Sequence, residues 1–91
     1  MRYRPRRRDC DLPVLVCAAG LECEARAVSI SSTGLLVRGL RSIWGEITVK
    51  APDAEIELPC RVAWSKDDRT GIEFAEPQSK AALRAARLYP D

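Results

Sequence analysis

Residues 56–74 read IELPCRVAWSKDDRTGIEF, and this stretch decides the fold. Apolar and other residues alternate from Ile56 to Trp64, which is the pattern of a strand with one buried face. Residues 65–69 predict a hairpin turn, and Gly71–Phe74 predicts the returning strand. Proline cannot donate to a sheet ladder, so we expect Pro59 at an edge or a bulge. The expected apolar face of the first strand is Ile56, Leu58, Cys60, Val62 and Trp64.

The same strand period recurs toward the N-terminus. A turn at Ala18-Ala19-Gly20 separates the first two of the segments that we predict as strands. Six short antiparallel strands at near-regular spacing favour a closed barrel, because closure removes the exposed sheet edges. The remaining predicted strands are Leu12–Cys17, Leu21–Ala27, Gly34–Arg38 and Glu46–Lys50.

The period changes near the C-terminus, where residues 77–89 predict a short helix with Pro77 in its first turn. The fold class is therefore all-β with a terminal helix: a six-stranded antiparallel β-barrel plus a short C-terminal α-helix. We divide the single domain into a flexible arginine-rich arm (1–11), the barrel (12–76) and the helix with its tail (77–91). Basic Lys80, Arg84 and Arg87 fall on one helix face, with Ala82, Ala85, Ala86 and Tyr89 opposite.

The charge of the chain is unevenly distributed. The net charge is +2, but residues 1–8 contain five arginines and no acid, so residues 9–91 carry −3. A surface that coats polyanions in general is therefore disfavoured, and with it nucleic-acid binding. No apolar run is long enough for membrane insertion, and the short run Leu12–Ala19 is not typical of a signal peptide. We expect a cytoplasmic protein.

The chemistry-bearing residues disfavour an enzyme. The chain has no histidine, and its four cysteines, Cys10, Cys17, Cys23 and Cys60, lack the spacing of a metal site. We expect free thiols, no metal and no cofactor. The pair Asp67-Asp68 lies in a predicted turn without a partner base, which disfavours catalysis there.

Two segments suggest one anion-binding site. The first is Arg4-Pro5-Arg6-Arg7-Arg8, and the second is the small-residue turn Ser29–Gly34. Guanidinium groups bind phosphate in a bidentate manner, and the hydroxyls and N–H groups of the turn can face a polar ligand. Each segment also has a simpler interpretation, as a solvated tail and as an ordinary turn.

The order of these segments resembles the PilZ domain, the bacterial module known as a receptor for cyclic di-GMP. The resemblance is carried by the arginine run, Leu12-Pro13-Val14, the Ser29–Gly34 turn, Val62-Ala63-Trp64 and Gly71-Ile72-Glu73-Phe74. It covers roughly residues 4–75 and implies a six-stranded antiparallel barrel with a nearby helix. Each motif is weak alone, but five in the correct order form a fairly specific pattern.

The resemblance implies a ligand, cyclic di-GMP, and the residues that bind it. Two arginines of an RxxxR motif would bind phosphate and stack on guanine. Arg4 and Arg8 are the preferred pair, Arg2 and Arg6 the alternative register, and Arg7 a substitute or supplement. In the turn, Ser31 and Gly34 match the family's serine and glycine, whereas Ser29 stands where the family usually has Asp or Asn.

Ser29 leaves two functions open. In the first, the arm is mobile until the dinucleotide orders it and so presents a surface to a downstream protein partner. In the second, the domain is degenerate and acts as a protein-interaction adaptor without nucleotide. Trp44 and Trp64 are expected to pack in the core or at a barrel end in either case.

Overall fold

The structure is a computed structural model that describes residues 6–40 and 43–90. It contains six strands followed by one short helix. The strands are β1 Arg8–Ala18, β2 Leu21–Ile30, β3 Gly34–Arg38, β4 Glu46–Lys50, β5 Leu58–Lys66 and β6 Arg69–Phe74, and the helix is α1 Lys80–Ala85. No helix among the described residues has the length and apolar character needed to cross a membrane.

The strands form a closed barrel in the order β1-β2-β3-β6-β5-β4, and all neighbours pair antiparallel. The predicted fold class is confirmed. Inward-facing aliphatic side chains of every strand fill the barrel, and Leu83, Ala86 and Leu88 from the C-terminal segment join the same core. The helix is thus part of the packed body, which fixes the position of the segment that follows β6.

The barrel begins earlier than the apolar pattern predicted. β1 starts at Arg8, inside the segment assigned to the arm, and its first residues pair as Arg8 with Ile30 and Asp9 with Ser29. A register shift between Asp9 and Leu12 permits this pairing. Backbone hydrogen bonds between strands form with polar residues as well as with apolar ones. The end of a strand that lacks alternating apolar residues is therefore not predicted from the apolar period.

The fifth strand also differs from its predicted pattern. It starts at Leu58 rather than Ile56, and a register shift between Val62 and Trp64 turns Trp64 out of the core, leaving 45% of it exposed. The hairpin turn is tighter than predicted, with Lys66 pairing directly with Arg69. Pro59 lies just beyond the end of β6, where its missing N–H costs no ladder bond.

The helix is shorter than the predicted span 77–89. Ser79 is its N-cap and accepts a hydrogen bond from the Ala82 N–H at 3.0 Å, so Pro77 lies before the helix rather than in its first turn. Arg87 has a φ of 60°, and the Leu88 N–H bonds back to the Leu83 carbonyl. This Schellman-type end stops the helix and directs Leu88 into the core.

Candidate functional site

The turn between β2 and β3 is held by its own hydrogen bonds. The Ser31 N–H donates to the Gly34 carbonyl at 2.9 Å, and the Ser31 hydroxyl accepts from the Thr33 N–H at 3.2 Å. The Thr33 carbonyl in turn accepts from Phe74 at the end of β6, and the Ser32 carbonyl from Gln78. The turn is therefore rigidly anchored to both the barrel and the segment before α1.

Both predicted serines are buried in this region. Ser29 is 6% exposed and Ser31 is 5% exposed. Burial of a hydroxyl is unfavourable unless it is hydrogen-bonded. Ser31 satisfies this requirement within the turn, whereas Ser29 uses a side chain from the start of the chain: Arg7 Nη1 donates to Ser29 Oγ at 3.2 Å. The structure thus brings one arginine of the predicted site onto the predicted turn.

Gly34 is required because any side chain at this position would collide with β6. A Cβ at this position would lie 2.1 Å from the Ile72 carbonyl oxygen of β6, and no positive φ is involved. The glycine therefore permits close packing of β3 on β6, and only indirectly shapes the surface that a ligand would meet.

The described arginines of the N-terminal segment diverge. Arg6 borders a cavity of about 170 Å³ together with Ser31 and Ser32. Arg8 lies toward the same cavity, with its guanidinium 5.6 Å from the ring centroid of Tyr89, which also borders it, whereas Arg7 lies on Ser29. Arg4 and Arg2 lie outside the described residues, so the choice between the two RxxxR registers stays a prediction.

A second cavity, of about 270 Å³, lies on the other side of the turn. It is bordered by Arg7, Thr33, Gly34 and Trp64. The turn thus separates two cavities, with Arg6 at one and Arg7 at the other. Larger cavities, of about 390 to 410 Å³, also lie on the surface, but neither Arg6 nor Arg7 lines them.

Trp64 is the site residue that sequence reasoning missed. It was expected to pack in the core or at a barrel end, but its indole lies on the outer surface against Gly71, where a Cβ would meet Nε1 at 2.2 Å. Trp44 is 61% exposed, so it does not lie in the core either. The signal available in the sequence was Gly71 within a strand, since glycine in a strand often marks a close approach by another group.

The chemistry near the turn is that of anion binding. The positive charge around it comes from four side chains, Arg6, Arg7, Lys80 and Arg84. The nearby Glu73 is already paired with Arg61 at 2.7 Å.

Two of the four thiols have a raised pKa. Burial raises the pKa of Cys60 to about 12 and also raises the pKa of Cys10. Both therefore stay protonated at neutral pH.

Comparison with known proteins supports one family. The family model described as the PilZ domain matches residues 2–89. Among solved structures, the chain is similar to the crystal structure of an uncharacterized protein from Legionella, with a TM-score of 0.51 and 16% sequence identity. That match covers 87% of this chain and 83% of the other, and it bears on the fold alone. A search of curated proteins gave no match.

Proposed function

This chain belongs to the PilZ domain family, a module known as a receptor for cyclic di-GMP, and we propose that it binds this dinucleotide between its arginine-rich segment and the Ser29–Gly34 turn. Members of the family are binding modules rather than enzymes. The proposed role is therefore that of a receptor whose output is a change of its own surface.

The observation that carries the proposal is the hydrogen bond from Arg7 to Ser29. It connects two segments 22 residues apart, and these are the segments that the family uses for its ligand. A phosphate oxygen is a stronger acceptor for a guanidinium than a serine hydroxyl is, because the hydrogen bond is then assisted by charge on both partners. Arg7 can therefore exchange Ser29 for phosphate without a large movement of the backbone.

Side chains beside the turn can stack on the two guanine bases of cyclic di-GMP. Guanine is a planar ring system that stacks on guanidinium and indole faces. Trp64 offers an exposed indole at the cavity of Arg7, and Arg8 already lies over an aromatic ring at Tyr89. Arg4 remains the proposed second member of the RxxxR pair with Arg8.

Asp9 offers a substitute for the carboxylate that Ser29 lacks. It pairs directly with Ser29 across β1 and β2, and residues paired in this way project to the same face of the sheet. Asp9 is exposed, so it is available to a ligand. A carboxylate there would accept hydrogen bonds from a guanine edge, as Asp or Asn does in the family.

Binding is proposed to order the arginine-rich N-terminal arm, with Arg7 transferred from Ser29 to phosphate, and to present a new surface to a downstream protein, in the cytoplasm. Neither nucleic acid nor membrane insertion is part of this proposal. No cofactor is required, because the readout is conformational.

Isothermal titration with cyclic di-GMP tests the proposal directly. We expect heat with the wild-type chain and a tenfold or greater loss of affinity in Arg7→Ala and in Arg8→Ala, since a hydrogen bond to a charged group contributes about 1.5–3 kcal/mol. Arg69→Ala, an exposed arginine at the far end of β6, is the matched control and should bind as the wild type does. Absence of heat with the wild-type chain at high micromolar nucleotide would reject the proposal.

The alternative function, an adaptor without nucleotide, is favoured by Ser29 itself. Ser29→Asp should tighten nucleotide binding about tenfold if the site is otherwise intact, because a carboxylate accepts hydrogen bonds from the guanine edge. Asp9→Ala should weaken binding, and Ser29→Asp should restore it in the double variant. If the wild type and Ser29→Asp both fail to bind, the adaptor function is the one supported.

A further inference from the structure

Four cationic residues lie in one row across the barrel. Arg26 of β2 pairs with Arg38 of β3, Arg38 pairs with Arg69 of β6, and Arg69 pairs with Lys66 of β5. Directly paired residues project to the same face of a sheet, and all four are exposed, so this face is the outer one. We call Arg26, Arg38, Arg69 and Lys66 the basic row.

The basic row is unfavourable for the barrel alone. Like charges directly opposite each other in a sheet are destabilising. Elsewhere the same barrel alternates its charges: Glu46 pairs with Arg61, and Arg61 pairs with Glu73 in a salt bridge of 2.7 Å. Three successive like-charged pairs therefore form a feature that folding does not explain.

Acidic neighbours neutralise only half of the basic row. Asp11 binds Arg26 at 2.6 Å, and Asp68 lies 3.8 Å from Arg38. Within residues 6–40 and 43–90, Arg69 and Lys66 have no salt bridge. The β5–β6 end of the row thus retains two cations available to an external anion.

We propose that the basic row is a docking surface for an acidic, extended segment of a partner protein. Neighbouring strands are about 4.8 Å apart, so four strands span about 14 Å. Alternate residues of an extended chain are about 6.8 Å apart, so acids at three alternate positions cover about the same length. The barrel is closed, so the segment is held by its side chains and not by strand addition.

A cleft at one end of the basic row favours one orientation of the docked segment. It has a volume of about 410 Å³ and is bordered by Arg26, Arg38 and Glu24, with Pro13 and Pro52 as apolar lining. An apolar residue next to the acids can enter it, at the end of the row away from Lys66. A nucleic acid fits less well, because residues 9–91 carry a net charge of −3 and repel a long polyanion.

This surface is separate from the proposed nucleotide site. Arg38 ends β3, whereas Gly34 of the turn begins it, which places about 13 Å between their Cα atoms. The two proposals can therefore fail independently. Nucleotide affinity should be unchanged by substitutions in the basic row.

Fluorescence anisotropy tests docking with a fluorescein-labelled peptide in which glutamate alternates with threonine and which ends in two leucines. We expect the peptide to bind the full chain, and a peptide with glutamine in place of glutamate not to bind. Arg69→Glu should weaken binding at least tenfold. Lys50→Glu makes the same charge change in β4, outside both the basic row and the proposed nucleotide site, and should alter binding less than twofold.

Thermal unfolding supplies a second readout that separates docking from folding. Arg69→Glu should keep or raise the melting temperature, because it places an acid between Arg38 and Lys66. Lack of peptide binding at high micromolar concentration would overturn the proposal. So would an equal loss in Lys50→Glu, or tighter binding of an oligothymidylate of matched charge.

Discussion

The two ends of β3 place polar groups in opposite ways. At the Gly34 end, Ser29 and Ser31 are buried and hydrogen-bonded within the protein, and an arginine folds over them. At the Arg38 end, the charged groups are exposed and only partly paired. The same short strand thus begins beside buried, hydrogen-bonded hydroxyls and ends at exposed charges.

This difference indicates the kind of partner that each end suits. Buried polar groups with fixed geometry discriminate among small ligands, because an unmatched buried group is costly. Exposed charges favour the long-range attraction of a larger partner and give less geometric selection. This difference agrees with the two proposals, a dinucleotide at the Gly34 end of β3 and an extended acidic segment at the Arg38 end.

The largest expected loss of stability comes from substitution of Gly34, the first residue of β3, compared with Gly39, the residue after its end. Gly34→Ala should lower the free energy of unfolding by about 3 kcal/mol, because the added Cβ collides with the β6 backbone. Gly39→Ala meets no atom within 4 Å, but its φ of 84° is unfavourable for alanine, so we expect a loss of about 1 kcal/mol. Urea unfolding measures both. Equal losses would mean that the two ends of β3 are packed alike.

The second prediction concerns the side-chain oxygens that accept backbone N–H groups at the two ends. Ser31→Ala removes the buried acceptor of the Thr33 N–H and should cost about 1–2 kcal/mol. Asp68→Ala removes the exposed acceptor of the Gly39 N–H at 3.1 Å, which water can replace, so the loss should stay under about 0.5 kcal/mol. Urea unfolding compares them, and a costlier Asp68→Ala would contradict the contrast between buried and exposed polar groups at the two ends.

The smallest expected effect concerns Asp11, the acid that binds Arg26. The hydrogen bond and charge of Arg26 lower the pKa of Asp11 below its ordinary value, so this carboxylate is ionised at neutral pH. Asp11→Asn should release Arg26 and tighten binding of the glutamate peptide two- to threefold, as measured by anisotropy. Thermal stability should change little, because the pair is exposed. Weaker peptide binding in this variant would argue against the basic row.

The sequence predicted the barrel because its strands carry a regular apolar period and its turns carry Gly, Pro and Asp. It predicted the turn residues Ser31 and Gly34 through motif order, although the packing role of Gly34 depends on β6, which lies far along the chain. It misplaced Trp64, because one register shift in β5 reverses the face of every later side chain. The span of the helix was overestimated, since the Schellman-type end at Arg87 has no glycine to mark it.

By itself the sequence determined the strand count, the closed architecture, the family and the concentration of arginine at one terminus. These properties depend on the side-chain period within each segment and on the order and spacing of the motifs along the chain. The tertiary structure decided which residues meet: Arg7 with Ser29, Arg8 with Tyr89, and four cations from four strands in one row. These contacts between distant residues depend on strand register. The register is fixed only when the barrel closes, because every inward-facing residue must then fit into the same core.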